Sequence, residues 1–199
     1  MGLRELKKTR TREAVQQAAM RLFSEQGYAA TTVEQIALAA EISTATFYRY
    51  YCDKEDIVFG DDDQHLVDEV IAGRPLHEPL ADTIGALFRR LAAEFELDRE
   101  AAIVRMRLLN AIPDLQARRW AHRQRTASHL AEVLAVRAGR QPEDHELRLA
   151  ITVALAAESE TLCHWARIGG IRPLADLLDD ALARIEPVFR ALAVGAVCA

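Results

Sequence analysis

The side chains best suited to chemistry lie within residues 43–54, STATFYRYYCDK. Small hydroxyl groups come first, and phenol rings and an ammonium group follow. Small hydroxyl side chains approach base edges closely, whereas phenols and ammonium groups reach phosphate oxygens. The residues of this set are Ser43, Thr44, Thr46, Tyr48, Tyr50 and Lys54. Their order predicts a short helix with base-reading groups at its N-terminal part and phosphate-binding groups at its flanks.

Two predicted helices position these side chains. Thr32 and Gln35 have the spacing of a capping box, and an apolar stripe at helical period follows. Ser43 is the expected N-cap of the next helix, whose inward face is Phe47 and Tyr51. Two short helices joined by a tight turn are typical of a helix-turn-helix that reads DNA. Thr32 adds a predicted phosphate contact through its hydroxyl and the N-terminus of its helix.

An amphipathic helix is predicted before this pair, from about Thr11 to Gln26, with Gly27 as its stop. Basic residues precede it and occupy its start: Arg4, Lys7, Lys8, Arg10 and Arg12. Two interpretations stay open for them. They form a flexible arm that adds phosphate contacts without sequence information, or a solvated tail.

Charge divides the chain in the same place. The 199 residues carry a net charge of −5, yet residues 1–54 hold eight bases against six acids and are positive. The remaining residues hold 17 bases against 24 acids. A basic head on an acidic body suits a protein that presents one end to phosphate. We therefore predict a DNA-binding domain at residues 1–54 and a larger domain at 55–199.

Apolar stripes at helical period continue to the C-terminus, and no strand pattern interrupts them. Breaks at Gly73–Pro75, near Asp98 and at Pro113 separate the first of these predicted helices. Three longer ones follow, at about 115–138, 144–168 and 174–194. The fold is expected to be all-α. The stripe of the last helix either covers the chain's own core or pairs with a second copy.

Cysteine usage and missing motifs narrow the function classes. Cys52, Cys163 and Cys198 form no CxxC pair, which favours a reducing, cytoplasmic setting over a disulfide framework or a zinc site. No signal peptide or membrane span is predicted. The sequence contains no phosphate loop, nucleophile elbow or HExxH pair, so we expect neither an enzyme nor a bound cofactor or metal.

Three segments resemble the N-terminal domain of TetR-family transcriptional regulators: TTVEQIA at 31–37, ISTATFYRYY at 42–51 and DKEDI at 53–57. The resemblance implies an N-terminal three-helix DNA-binding domain, and a C-terminal helical bundle that binds an effector and dimerises through its last two helices. It also implies that Tyr48, Tyr50 and Lys54 contact phosphates. One departure is Glu41, where the family usually has a glycine, so a strained or altered turn is expected there.

The C-terminal part resembles the mycofactocin-regulator subgroup in RMRLL at 105–109, IPDLQAR at 112–118, LAVRAG at 134–139 and WARIGG at 165–170. That resemblance implies an acyl-coenzyme A or a similar ligand. Such a ligand needs an apolar slot and cations for its phosphates. The candidate slot is Phe88, Leu91, Phe95, Met106, Leu109, Trp120 and Trp165, and the candidate cations are Arg105 and Arg118. Ordinary core packing and paired surface arginines are the simpler alternative for these residues.

The sequence therefore predicts a ligand-responsive regulator, a repressor that leaves a palindromic operator when a small hydrophobic effector binds. Its expected partners are double-stranded DNA, the effector and a second copy of the chain, with no membrane. A related regulator that senses a drug or another non-acyl metabolite is one alternative. A helical carrier or enzyme with a vestigial N-terminal domain is the other, and the lack of a catalytic cluster disfavours it.

Overall fold

The computed structural model describes residues 3–59, 64–76 and 78–194. Over these residues it contains ten α-helices and no strand, which confirms the all-α prediction. The helices are α1 Leu3–Gln26, α2 Val33–Ala39, α3 Thr44–Tyr48, α4 Lys54–Phe59, α5 Gln64–Ala72, α6 Leu80–Leu97, α7 Arg99–Ala111, α8 Pro113–Ala138, α9 His145–Arg167 and α10 Leu174–Val194. No described helix is long and apolar enough to cross a bilayer.

Contacts divide the chain into two compact units. Of the described residues, 3–59 and 100–116 belong to the first unit, and the others belong to the second. The division differs from the predicted boundary after residue 54, because α4 and most of α7 belong with the N-terminal helices. Ile57 and Val58 of α4 are fully buried, which shows why α4 is part of the first unit.

The first unit is built around side chains that α1 to α4 remove from water. Val15 and Ala19 of α1, Ile36 of α2, Phe47 of α3 and Ile57 of α4 have no exposed surface. Complete burial of a valine, isoleucine or phenylalanine side chain contributes about 1.5–3 kcal/mol to the stability of the fold. The short α2 and α3, too short to persist alone, are held in place by this shared core.

α1 begins at Leu3, not near Thr11, so the flexible-arm interpretation is wrong about conformation. The early residues belong to the helix although they lack an apolar stripe. Leucine, arginine, glutamate and lysine all have high intrinsic helix propensity, which favours helix without any burial. Lys7, Lys8 and Arg10 remain exposed on this first part of α1.

In the second unit, α10 packs against both α6 and α9. Gly85 lies buried in α6 where α10 comes close: a Cβ built there would meet Leu182 Cδ2 at 3.0 Å. α9 begins at an Asp144 cap, whose carboxylate accepts from Leu147 N–H at 2.9 Å and from Arg140 Nη1 at 2.8 Å. The backbone N–H and the guanidinium lower the pKa of Asp144 below its ordinary value.

Candidate DNA-reading surface and effector site

The N-terminus of α3 presents the predicted base-reading hydroxyls. Ser43 is its N-cap and accepts from Thr46 N–H at 3.1 Å, and the two side-chain oxygens lie 2.9 Å apart. Ser43 and Thr44 are exposed and Thr46 is half-buried, while Phe47 on the opposite side is fully buried. The buried ring anchors α3, so the hydroxyls are offered from a fixed position.

The turn before α3 is a Schellman motif formed around a non-glycine residue. Glu41 N–H donates to Leu38 O at 3.1 Å, and Ile42 N–H donates to Ala37 O at 2.9 Å. Glu41 has φ 55°, in the left-handed region, as expected for the position where the family usually has glycine. The turn at Glu41 therefore has the same hydrogen bonds as a turn that contains glycine. Because Glu41 has a Cβ, its left-handed conformation is sterically strained.

The tyrosines of α3 and the segment after it divide as predicted between surface and core. Tyr48 is 56% exposed and meets the Phe47 ring edge-on, with the ring centroids 5.4 Å apart. Tyr50 is half-buried beneath the Arg49 guanidinium, 5.1 Å from the ring centroid. Tyr51 is buried. Tyr48 therefore lies at the surface, Tyr50 is partly exposed and Tyr51 belongs to the core.

Thr32 forms the predicted capping box at the start of α2. Its hydroxyl accepts from Gln35 N–H at 3.3 Å, and Gln35 Oε1 accepts from Thr32 N–H at 2.9 Å. The side chain of Gln26, at the end of α1, donates to Gln35 Oε1 at 2.9 Å and to the Thr31 hydroxyl at 3.2 Å. α1 thereby holds the exposed N-terminus of α2, a contact that the sequence pattern did not reveal.

Lys54 lies at the start of α4 with its ammonium turned into the first unit. Nζ donates to Tyr28 O at 2.8 Å and to Thr31 O at 2.9 Å, and lies 4.4 Å from the Tyr28 ring centroid. Glu55 accepts from the Tyr28 hydroxyl at 2.5 Å. An ammonium has three N–H donors, and two of them hold the turn that leads to Thr32.

Of the predicted effector residues, the structure brings Phe95 and Trp165 into contact. Phe88 is buried in α6, and Leu91 and Phe95 on the same helix are half-buried. Trp165 on α9 has no exposed surface, and its ring meets Phe95 edge-on at a centroid distance of 6.2 Å. These four residues belong to the second unit.

The other candidates are placed differently. Arg105, Met106 and Leu109 lie on α7 in the first unit, where Met106 and Leu109 are buried. Arg118 on α8 is exposed, and Trp120 is 67% exposed.

Two further arginines of α8 reach across to α9. Arg119 donates to the Ser159 hydroxyl at 2.8 Å and to Cys163 Sγ at 3.6 Å, and Arg123 donates to Leu155 O. Burial lowers the pKa of Arg123, and the neighbouring Arg119 charge lowers it further. Arginines are frequent between residues 105 and 125, and only their partners on α9 distinguish these two.

Other clusters offer no competing chemistry. In the described part of the chain, no three His, Cys, Asp or Glu residues are arranged to hold a metal ion. A cavity of about 200 Å³ in the second unit is lined mainly by apolar groups and includes none of the predicted effector residues. Cys52 is exposed and Cys163 is half-buried, whereas Cys198 lies outside the described residues.

Comparison with known families divides the chain into two matched regions. The family described as "Bacterial regulatory proteins, tetR family" matches residues 16–59, and the "MftR C-terminal domain" matches residues 76–190. The first match contains α2, α3 and α4, and the second begins just before α6.

Individual proteins are similar to the chain over most of its length. The HTH-type transcriptional regulator TcmR of Streptomyces glaucescens is 32% identical over 153 residues, which are 72% of this chain and 67% of TcmR. FadR of Bacillus subtilis, solved in complex with stearoyl-CoA, has a TM-score of 0.62 at 21% identity and shares the fold over 86% of this chain and 95% of its own. FadR of Thermus thermophilus, solved with lauroyl-CoA, has a TM-score of 0.55 at 27% identity, over 87% and 92% of the two chains.

Proposed function

Because the chain belongs to the TetR family of bacterial transcriptional regulators, we propose that it is a repressor that leaves a palindromic operator when a hydrophobic effector binds. The observation that carries the proposal is the N-terminus of α3, where exposed hydroxyls project from a helix anchored by a fully buried phenylalanine. The chain acts on DNA, so the proposal places it in the cytoplasm.

The proposed DNA contacts fall into two groups. Ser43, Thr44 and Thr46 read base edges in the major groove, where small hydroxyls fit closely. The second group binds phosphates and consists of Thr32, Tyr48, Tyr50 and Lys54. For Lys54 this role uses the N–H that is left after two have bonded to Tyr28 O and Thr31 O.

A dimer is proposed because one recognition helix of five residues reads few base pairs. Two copies on successive half-sites, ~34–36 Å apart, read enough for a specific operator. We propose that α9 and α10, the last two helices, form the contact between the copies. In such a dimer, one conformation presents both recognition helices to the operator. An effector that binds a different conformation more tightly shifts the dimer toward that conformation and so lowers its affinity for DNA.

The effector proposed is an acyl-coenzyme A or a compound of similar chemistry. Support comes from the match to the MftR C-terminal domain and from the likeness to the Thermus thermophilus FadR that binds lauroyl-CoA. The proposed contacts with an apolar chain are Phe88, Leu91, Phe95 and Trp165 of the second unit, and the proposed phosphate contact there is Arg118. Arg105, Met106 and Leu109 belong to the first unit and are not included in this site. Trp120 is left out, because its ring is mostly exposed.

The first test measures fluorescence anisotropy of labelled DNA from around the protein's own gene at one stated salt concentration. Tight, specific binding that lauroyl-coenzyme A releases is the expected result. Specific binding that lauroyl-, palmitoyl- and stearoyl-coenzyme A all leave unchanged would contradict the effector and favour a drug or another metabolite. Absence of specific binding to any fragment in a genome-wide selection would contradict the regulator itself.

Two variants test the division of the contacts. Tyr48→Phe is expected to weaken specific and nonspecific DNA binding alike by about fivefold to tenfold, since it removes one phosphate hydrogen bond. Thr46→Ala is expected to lower mainly the ratio of specific to nonspecific affinity, by a similar factor. Equal losses on both kinds of DNA in both variants would overturn the assignment.

A further inference from the structure

The indole N–H of Trp165 is a buried hydrogen-bond donor without an acceptor. The side chain has no exposed surface, and Nε1 has no hydrogen-bond partner among the described residues. Indole is a donor only, so no rotation or tautomer removes the need for an acceptor. Leaving a buried donor unsatisfied is costly, and buried tryptophans normally bond through this group. The position therefore calls for an acceptor from outside the chain.

The surroundings of the ring limit what that acceptor is. The Phe95 ring lies against the indole, and the indole ring itself has no exposed surface. A charged acceptor is expensive to bring into such an apolar environment, whereas a neutral carbonyl oxygen costs much less. A carbonyl group attached to an apolar chain can accept the hydrogen bond from the indole while its chain packs against the apolar side chains.

Trp165 is also held rigidly, as a recognition group must be. α9 ends two residues beyond it, and Gly170 N–H donates to Trp165 O at 2.9 Å, with Gly169 and Gly170 both at positive φ. Arg99 Nη1 donates to Gly170 O at 3.3 Å and ties this end of α9 to the start of α7 within the second unit. These bonds fix the backbone that carries the indole, and the complete burial of the ring leaves it little room to turn.

We infer that Trp165 donates a hydrogen bond to the carbonyl oxygen of an acyl ligand and so selects for the acyl group itself. The inference rests on the proposed function and deepens it by naming the atom that the effector must carry. Phe95, whose partly exposed ring contacts the indole, is the side chain that would move to admit the ligand.

The test compares two ligands that differ at one group. Lauroyl-coenzyme A carries a thioester carbonyl, and S-dodecyl-coenzyme A has a methylene there. Isothermal titration calorimetry of the full-length protein is expected to give about tenfold tighter binding of the thioester, the typical value of one buried hydrogen bond. Trp165→Phe keeps the aromatic ring and removes the N–H, so it is expected to bind both ligands equally. A tenfold preference that survives Trp165→Phe overturns the inference.

A second measurement does not depend on the folding of that variant. In a Trp120→Phe background, Trp165 gives the only indole proton resonance. Lauroyl-coenzyme A is expected to move this resonance downfield and S-dodecyl-coenzyme A is not. Equal shifts with both ligands would mean that the carbonyl does not accept from the indole, and would overturn the inference, as would failure of the thioester to bind. Tight binding and the expected shift without release of DNA would support the contact and contradict only the repressor mechanism.

Discussion

At Glu41 a non-glycine residue holds a left-handed conformation, φ 55°, in the turn that leads to the recognition helix. A Cβ in this region crowds the neighbouring backbone, at a cost of roughly 1–2 kcal/mol. The Schellman bonds and the buried residues on both sides hold the turn in this conformation despite the strain.

We expect Glu41→Gly to raise the free energy of unfolding by about 1 kcal/mol, because it removes the strain and keeps the turn. Urea unfolding followed by circular dichroism measures the change. Glu41→Ala is the matched control, since it removes the carboxylate and retains the Cβ. A gain of the same size in both variants would assign the effect to charge instead of backbone strain.

Lys54 combines two roles in one ammonium group, and they are separable by experiment. Lys54→Met removes two hydrogen bonds to Tyr28 O and Thr31 O, so we expect a loss of about 2 kcal/mol in unfolding free energy. If its remaining N–H also binds phosphate, Lys54→Met makes the plot of log DNA-binding constant against log salt concentration less steep, by about one in the magnitude of its slope. An unchanged slope together with the loss of stability would leave Lys54 as a positioning residue only.

At the scale of the helices, the sequence predicts a helix end where a capping side chain or a proline marks it. It misses a helix end that no such residue marks. Thr32 and Ser43 mark helix starts within one residue of those observed, since each side chain satisfies an unpaired N–H group. Pro113 is predicted as a break before a helix at about residue 115 and is instead the first residue of α8, where its missing N–H is tolerated. The start of α1 is missed because high propensity without an apolar stripe leaves no periodic signal. Capping chemistry is local, whereas the inward turn of Lys54 depends on residues 23 to 26 positions away.

The candidate site follows the same rule. The exposed positions of Ser43 and Thr44 at the start of α3 could be predicted from the sequence because a short helix leaves few choices of face. The contact of Phe95 with Trp165 joins α6 to α9, and the unsatisfied indole N–H depends on every neighbour of the ring. Neither property is encoded in any one segment.

The cap of α9 gives an element-scale prediction that depends on pH. The folded state lowers the pKa of Asp144, so the charged cap stabilises the fold above the unfolded pKa of about 4 and loses that contribution as pH falls through the folded pKa. Asp144→Asn keeps a capping oxygen but does not titrate. We expect the difference in Tm between the natural protein and Asp144→Asn to shrink between about pH 6 and pH 3. A constant difference would contradict a stabilising role for the charge.

For the whole molecule, the proposed dimer fixes the distance between the recognition helices and therefore the spacing of the half-sites. Inserting five base pairs between the half-sites turns one of them to the opposite side of the DNA, because a helical turn is about 10.5 base pairs. Specific affinity is then expected to fall to the nonspecific level in an anisotropy titration. Retention of specific binding would mean that each copy reads its half-site independently.

The turn at Glu41 also bears on how the gene can change. Glutamate and glycine codons differ by one substitution at the second base, so a stabilising replacement is a single point mutation away. Most substitutions lower the free energy of unfolding, and the stability gained by Glu41→Gly can offset one such loss. A lineage that acquires the glycine would then tolerate new residues on the face of α3, and with them a new operator sequence.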